Sequence, residues 1–154
     1  MTLFLLALLV GFIAGLRAFM APLLVSWLAH FGWVDLGGTW LSFFGFAWIR
    51  WVFLGLALVE LITDQLPSTP SRTVPPQFAA RVLSGALSGA AIGAHGGSAI
   101  GGLVAGILGA FIGTLGGRRF RGRLALAFKD DQPAAFIEDA IAVGAACLIG
   151  FAVL

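Results

Sequence analysis

LFLLALLVGFIAGLRAFMAPLLVSWLA, residues 3–29, carries a single charged side chain, Arg17. At 1.5 Å per residue, a continuous helix from Leu3 to Trp33 would extend about 46 Å, against a bilayer core of about 30 Å. Such a segment must tilt, project beyond the membrane, or break. Pro22 removes the N–H that would reach the Ala18 carbonyl, and Gly15 lies close by, so a kink or discontinuity is expected over residues 15–22. That puts the interruption beside Arg17. An unpaired cation at mid-bilayer costs about 3 kcal/mol on insertion scales. The guanidinium therefore needs a carboxylate, carbonyls, water or an anionic ligand.

The rest of the chain has the same character. Of 154 residues, 60% are hydrophobic and 10% charged, whereas soluble domains carry about 25% charged residues. So few polar groups could not cover a soluble fold of this size. The sequence reads as one polytopic all-α membrane domain, residues 1–154. Five apolar segments are long enough to span: about 3–31, 41–63, 77–95, 98–116 and 136–154. No basic n-region precedes the first segment and no A-x-A site follows it, so that span is expected to be retained. Cys147, the only cysteine, forbids an intramolecular disulfide and is expected to be a small buried hydrophobe.

The connections fall at 32–40, 64–76, Gly96–Gly97 and 117–135. Pro75 and Pro76 suit the first positions of the third helix. Within 117–135, Leu124–Phe128 is apolar between charges and is expected to lie along the interface. Asp130 or Asp131 is placed to cap the next helix, and Pro133 suits its start. Four arginines fall between Arg118 and Arg123, whereas 32–40 and the Gly96 turn hold no Lys or Arg. The positive-inside rule then sets the N-terminus in the cytoplasm and the C-terminus outside an inner membrane. The arginine cluster lies between apolar spans without interleaved aromatics, which reads as topology and lipid-phosphate contact and not as a nucleic-acid surface.

Gly85, Gly89 and Gly93 recur every fourth residue in the third span, as do Gly97, Gly101, Ala105, Gly109, Gly113 and Gly117 in the fourth. This spacing predicts a closely packed glycine-zipper hairpin. A second face of the third span carries Gln77, Arg81, Ser84, Ser88 and His95 within about 60° of one another. It is expected to meet protein or water and could line a polar path with His95 at its outer mouth. Glu60 and Asp64, at i and i+4, repel, so a cation, a shared proton or an arginine should sit between them. Glu138 and Asp139 open the fifth span at the same inner end, where Arg72 and Arg81 are also expected. Arg50 is placed about 10 Å inside the second span, near Trp48 and Trp51.

No H-E-x-x-H, G-x-S-x-G, P-loop or cysteine pair is present. The two histidines lie too far apart in sequence to suggest a metal site. No enzyme chemistry, metal or cofactor is therefore expected.

GLRAFMAPLLVSW (15–27), ELITDQLPSTPSRT (60–73) and the following Gly/Ala-rich stretch resemble the domain-of-unknown-function 4126 family of small bacterial membrane proteins. The resemblance covers nearly the whole chain, although Gln65 stands where that pattern suggests Lys. It implies a polytopic membrane protein, marks Arg17, Glu60, Asp64, Pro67, Pro70 and Arg72 as motif positions, and implies no activity.

Three functions fit these residues. The first is an inner-membrane carrier or flippase-like transporter of an anionic or amphiphilic, lipid-like substrate. Arg17, Arg50, Glu60, Asp64, Arg72, Arg81, Ser84, Ser88 and His95 would bind, while Glu138, Asp139 and Pro22 couple or gate. The second is a cation or proton exchanger using Glu60, Asp64, Glu138 and Asp139. The third is a non-transporting accessory subunit. Membrane lipids are the expected partners, together with further copies of the chain and an anionic small molecule or headgroup. Arg17 itself has two candidate roles: counter-ion for an acidic neighbour such as Glu60, or anchor for an anionic ligand.

Overall fold

A computed structural model describes residues 2–64 and 74–153, and within them there are six α-helices and no strand. They are α1 Thr2–Leu16, α2 Met20–His30, α3 Ile49–Thr63, α4 Pro75–His95, α5 Ala99–Phe128 and α6 Asp131–Val153, with a 3₁₀ turn at Ser42–Gly45. Arg72, Pro67, Pro70 and Gln65 lie outside the described residues.

The first apolar segment is two helices, not one. It breaks at Arg17–Phe19, and α2 folds back beside α1. Contacts fix the directions. A Cβ on Gly96 or Gly101 would meet Leu3 or Phe4, and one on Gly15 would meet Ala110, Gly113 and Thr114, so α1 runs parallel to α5. In contrast, α2 begins beside Ser84 and Glu60 and ends near Trp51, and Asp35, five residues after it, donates its N–H to His95. Both outer ends of this hairpin therefore lie at the Gly96–Gly97 end of the bundle. The sequence expected the first segment to be kinked or broken, and it is broken, with its Thr2 end beside the Gly96–Gly97 turn and not at the opposite end of the bundle. Pro22 falls within the first turn of α2, where a missing backbone N–H disturbs the helix least.

Other boundaries move for local reasons. Residues 41–48 do not extend the second segment, because α3 starts at Ile49; Arg50 thus lies in its first turn and not about 10 Å inside. Pro75 and Pro76 occupy the first two positions of α4. That helix ends in a Schellman motif: Gly97 takes φ +79°, Ser98 N–H donates to Gly93 O at 2.8 Å, and Gly97 N–H to Ala94 O at 2.9 Å. No proline stands between Gly117 and Phe128 and the helix runs through Gly122, so Leu124–Phe128 continues α5 instead of forming a separate interfacial piece. α6 begins at Asp131, with Asp130 accepting the Gln132 N–H at 3.2 Å, which places Glu138 and Asp139 two turns inside it.

The helices α1, α4 and α5 meet through backbone. A Cβ on Gly89 would lie 2.5 Å from Gly102 O, and one on Gly85 would lie 2.8 Å from the Ala110 Cβ. The face of α5 toward α4 is thus Gly102, Gly106 and Ala110, while Gly109 and Gly113 meet α1. The sequence had put Gly101, Ala105, Gly109 and Gly113 on one face for packing against the third span; Gly101, Gly109 and Gly113 meet α1 instead, and the neighbouring row Gly102, Gly106 and Ala110 meets α4. Although α1 is apolar around its whole circumference, it is the central helix, packed against α4, α5 and α6. Large apolar side chains point outward on α1, α3, α4, α5 and α6, among them Ile100 at 79% and Leu126 at 82% exposure. Cys147 also points outward instead of being buried. Two helices, α5 and α6, are long and apolar enough to cross a membrane.

Candidate functional site

Breaking a helix leaves carbonyls unpaired on one side and N–H groups on the other. At Arg17–Phe19 both sets are buried, and three other helices satisfy them. Arg81 Nη1 donates to the carbonyls of Gly15 at 3.0 Å and Leu16 at 2.5 Å, and Thr114 Oγ1 donates to Gly15 O at 3.2 Å. On the other side the Glu60 carboxylate accepts the N–H groups of Ala18 at 2.6 Å and Phe19 at 2.9 Å. Such an acceptor at the start of α2 also meets the positive end of its dipole. The Ala18 carbonyl, which Pro22 cannot reach, accepts the Ser84 hydroxyl.

The Arg17 side chain, fully buried, reaches past this brace to two carboxylates. Its Nη1 pairs with Asp64 and its Nη2 with Asp139. Its counter-ions are therefore Asp64 and Asp139 and not Glu60, which is engaged by backbone. Between Glu60 and Asp64 sits Arg81, with Nη2 3.6 Å from a carboxylate oxygen of each. Of the three sequence alternatives for the space between this pair, the arginine is realised. Nearer the Phe128 end of α5, Arg121 forms a two-point pair with Asp131 at 2.9 and 2.5 Å and approaches Glu138 at 3.9 Å.

Spacing explains why each residue arrives. Arg81 and Ser84 share one face of α4 at i and i+3, as Glu60 and Asp64 do on α3 at i and i+4. The polar stripe of α4 thus faces the α1–α2 break. Gln77 stands at its rim beside a groove of 280 Å³ that reaches Phe19, Glu60 and Asp64. Ser88 is wholly buried with no hydrogen-bond partner among the described residues, and the His95 Nδ1 accepts the Asp35 N–H at 3.0 Å at the far end.

Arg17, Glu60, Asp64, Arg81, Ser84 and Asp139 therefore come together, with Glu138 adjoining through Arg121. Arg50 stands apart, its guanidinium carbon 5.1 Å from the Trp27 ring centroid and 5.6 Å from that of Trp51. Thr114 and Arg121 were not singled out in the sequence. Thr114 is the only hydroxyl residue between Ala99 and Gly117, a usable signal; Arg121 was hidden among its neighbouring arginines.

The profile of the family described as "Domain of unknown function (DUF4126)" matches residues 4–152. The chain belongs to that family. The match takes in the helix break and every partner just described. No curated protein and no solved structure matches the chain.

Proposed function

We propose that this DUF4126 protein is a small membrane carrier in which proton binding at the Asp64–Glu60 groove rearranges the ion pairs of Arg17 and Arg81. The observation that carries the reading is that Asp64, which lines the groove, is held by both guanidinium groups: Arg17 pairs with it and Arg81 Nη2 stands 3.6 Å from it. A proton on Asp64 would weaken both pairs at once and leave two buried guanidinium groups to find new partners. Among the described residues no three His, Cys, Asp or Glu side chains converge as metal ligands. Guanidinium groups interleave the carboxylates, which favours a proton. Arg17 has both terminal nitrogens occupied, so an anionic or lipid-like substrate reaches it only after one carboxylate has been neutralised. The anionic-carrier reading thereby becomes a later step of the same cycle.

The proposed membrane setting follows from the outward apolar side chains and the positive-inside rule. Arg118, Arg119, Arg121, Arg123 and Lys129 face the cytoplasm in an inner membrane, and Thr2 and Ser98 lie at the opposite face. From Ala99 to Thr114 the α5 axis rises about 22 Å, so the tip of the α1–α2 hairpin sits roughly three quarters of the way through a 30 Å core. The hairpin is re-entrant, and the glycine faces of α4 and α5 act as the zipper that leaves it room. Irregular backbone at such a depth needs protein partners, which Glu60, Arg81, Ser84 and Thr114 supply. Broken helices of this kind form the sites of secondary transporters.

Proteoliposomes holding the full chain and an internal pH dye provide the test, with a potassium diffusion potential as driving force. Wild type should acidify or alkalinise the lumen according to the sign of the potential, and Asp64→Asn should reduce the rate to that of empty liposomes. Wild-type flux equal to that of empty liposomes, or unchanged flux in Asp64→Asn, overturns the reading.

A further inference from the structure

A second groove, of 330 Å³, lies across the ion pairs from the Glu60–Asp64 groove, between α1, α5 and α6. Phe12, Leu16, Phe120 and Ile141 wall it, and the backbone of Gly116 and Gly117 forms its floor. Glu138 contributes to the wall but is 1% exposed and faces Arg121, so the accessible surface of the groove is apolar. Gly116 has no packing reason to be glycine. A Cβ there would meet nothing within 4 Å, whereas one on Gly109 or Gly113 would strike the α1 backbone. The missing side chain leaves the groove open.

Arg119 and Arg123 follow Gly116 at i+3 and i+7, on one strip of α5. They lie about 4.5 and 10.5 Å nearer the Phe128 end. Both are exposed, and neither forms an ion pair among the described residues. An apolar trough thus runs out to two uncompensated guanidinium groups at the face assigned to the cytoplasm. Guanidinium groups match phosphate oxygens in two-point geometry, and juxtamembrane arginines attract anionic lipid.

We propose that this groove binds an anionic phospholipid of the adjoining leaflet. One acyl chain lies along Phe12, Gly116 and Phe120, and the headgroup phosphate rests on Arg119 and Arg123. The proposal rests on the membrane placement given above but not on the proton step, because none of its contacts involves Asp64 or Arg17.

The test is native mass spectrometry of the full chain in detergent, titrated with phosphatidylglycerol or with phosphatidylcholine of the same acyl chains. Wild type should retain phosphatidylglycerol about thirtyfold better, the order expected from two arginines near a charged headgroup at about 1 kcal/mol each. Gly116→Leu should remove the adduct of both lipids, and Arg119→Gln/Arg123→Gln should bring the two lipids level. No preference in wild type, or Gly116→Leu retaining phosphatidylglycerol as wild type does, overturns the proposal. So does a dimer peak that Gly116→Leu abolishes, since the groove would then seat a second copy. If Gly116→Leu does not fold, the double arginine variant decides, because both side chains lie outside the packed interior, and an unchanged preference there sinks the proposal. Asp64→Asn should retain lipid as wild type does, which separates failure of this site from failure of proton coupling.

Discussion

Ser84 gives the Ala18 carbonyl the hydrogen bond that Pro22 withholds. The hydroxyl comes from α4, 66 residues away in sequence, and the bond is buried at the turn between α1 and α2. The same helix supplies Arg81 to the carbonyls just before the break, so α4 serves both sides of it. The break is thereby a formed structural element with its own partners.

Removing that donor should show the dependence directly. Ser84→Ala leaves a buried acceptor unpaired and should lower stability by about 1–3 kcal/mol. Pro22→Ala restores an N–H four residues after Ala18, so the double variant should recover most of the loss. Denaturant unfolding in detergent micelles, followed by tryptophan fluorescence, measures both. Strictly additive losses in the double variant would show that the two residues do not share this carbonyl.

Arg17 bridges Asp64 on α3 and Asp139 on α6 through separate nitrogens. Arg17→Ala leaves buried carboxylates facing one another and should destabilise by about 3–5 kcal/mol. Arg17→Lys should recover only part of this, because a single ammonium group does not reproduce the planar two-nitrogen fork. In the Arg17→Ala background, Asp139→Asn should be stabilising. The same unfolding assay reads all three, and a neutral Arg17→Ala would contradict the buried bridge.

Gly89 and Gly55 provide a matched pair. A Cβ on Gly89 would lie 2.5 Å from the Gly102 carbonyl oxygen, a backbone atom that cannot move aside alone, whereas a Cβ on Gly55 would meet nothing within 4 Å. Gly89→Ala should therefore cost about 1–3 kcal/mol through overpacking. Gly55→Ala should be neutral or slightly stabilising, since alanine is the better helix former by about 1 kcal/mol. Equal melting temperatures for the two variants would count against the close approach of α4 and α5.

The hairpin reading of residues 2–30 makes a labelling prediction. In a Cys147→Ser background, Thr2→Cys and Ser98→Cys should react with a membrane-impermeant maleimide from the same side of sealed vesicles. Arg123→Cys should react from the other side. Labelling of Thr2→Cys on the Arg123 side would restore a single crossing for the first segment.

Composition and spacing made much of this protein legible. Sixty per cent hydrophobic residues with almost no charge between Leu3 and Ala29 determined an all-helical chain with apolar surfaces. Pro22 and Gly15 beside Arg17 marked the break, because a missing N–H and a missing Cβ act locally wherever the helix goes. The i, i+4 carboxylates marked a site that needed a cation, a shared proton or an arginine, because like charges one turn apart repel. What such local signals lack is direction. Whether a broken helix continues or turns back depends on which other segments can satisfy its freed backbone groups, and Glu60, Arg81, Ser84 and Thr114 come from three different helices. The choice of Asp64 and Asp139 over Glu60 as partners of Arg17 has the same origin: Glu60 is occupied by two N–H groups that exist as free donors only once the helix has opened. The sequence determined that a buried cation sits at a helix break. Tertiary structure alone decided that the chain reverses there and which carboxylates meet the cation, since both follow from contacts between residues 41 to 122 positions apart.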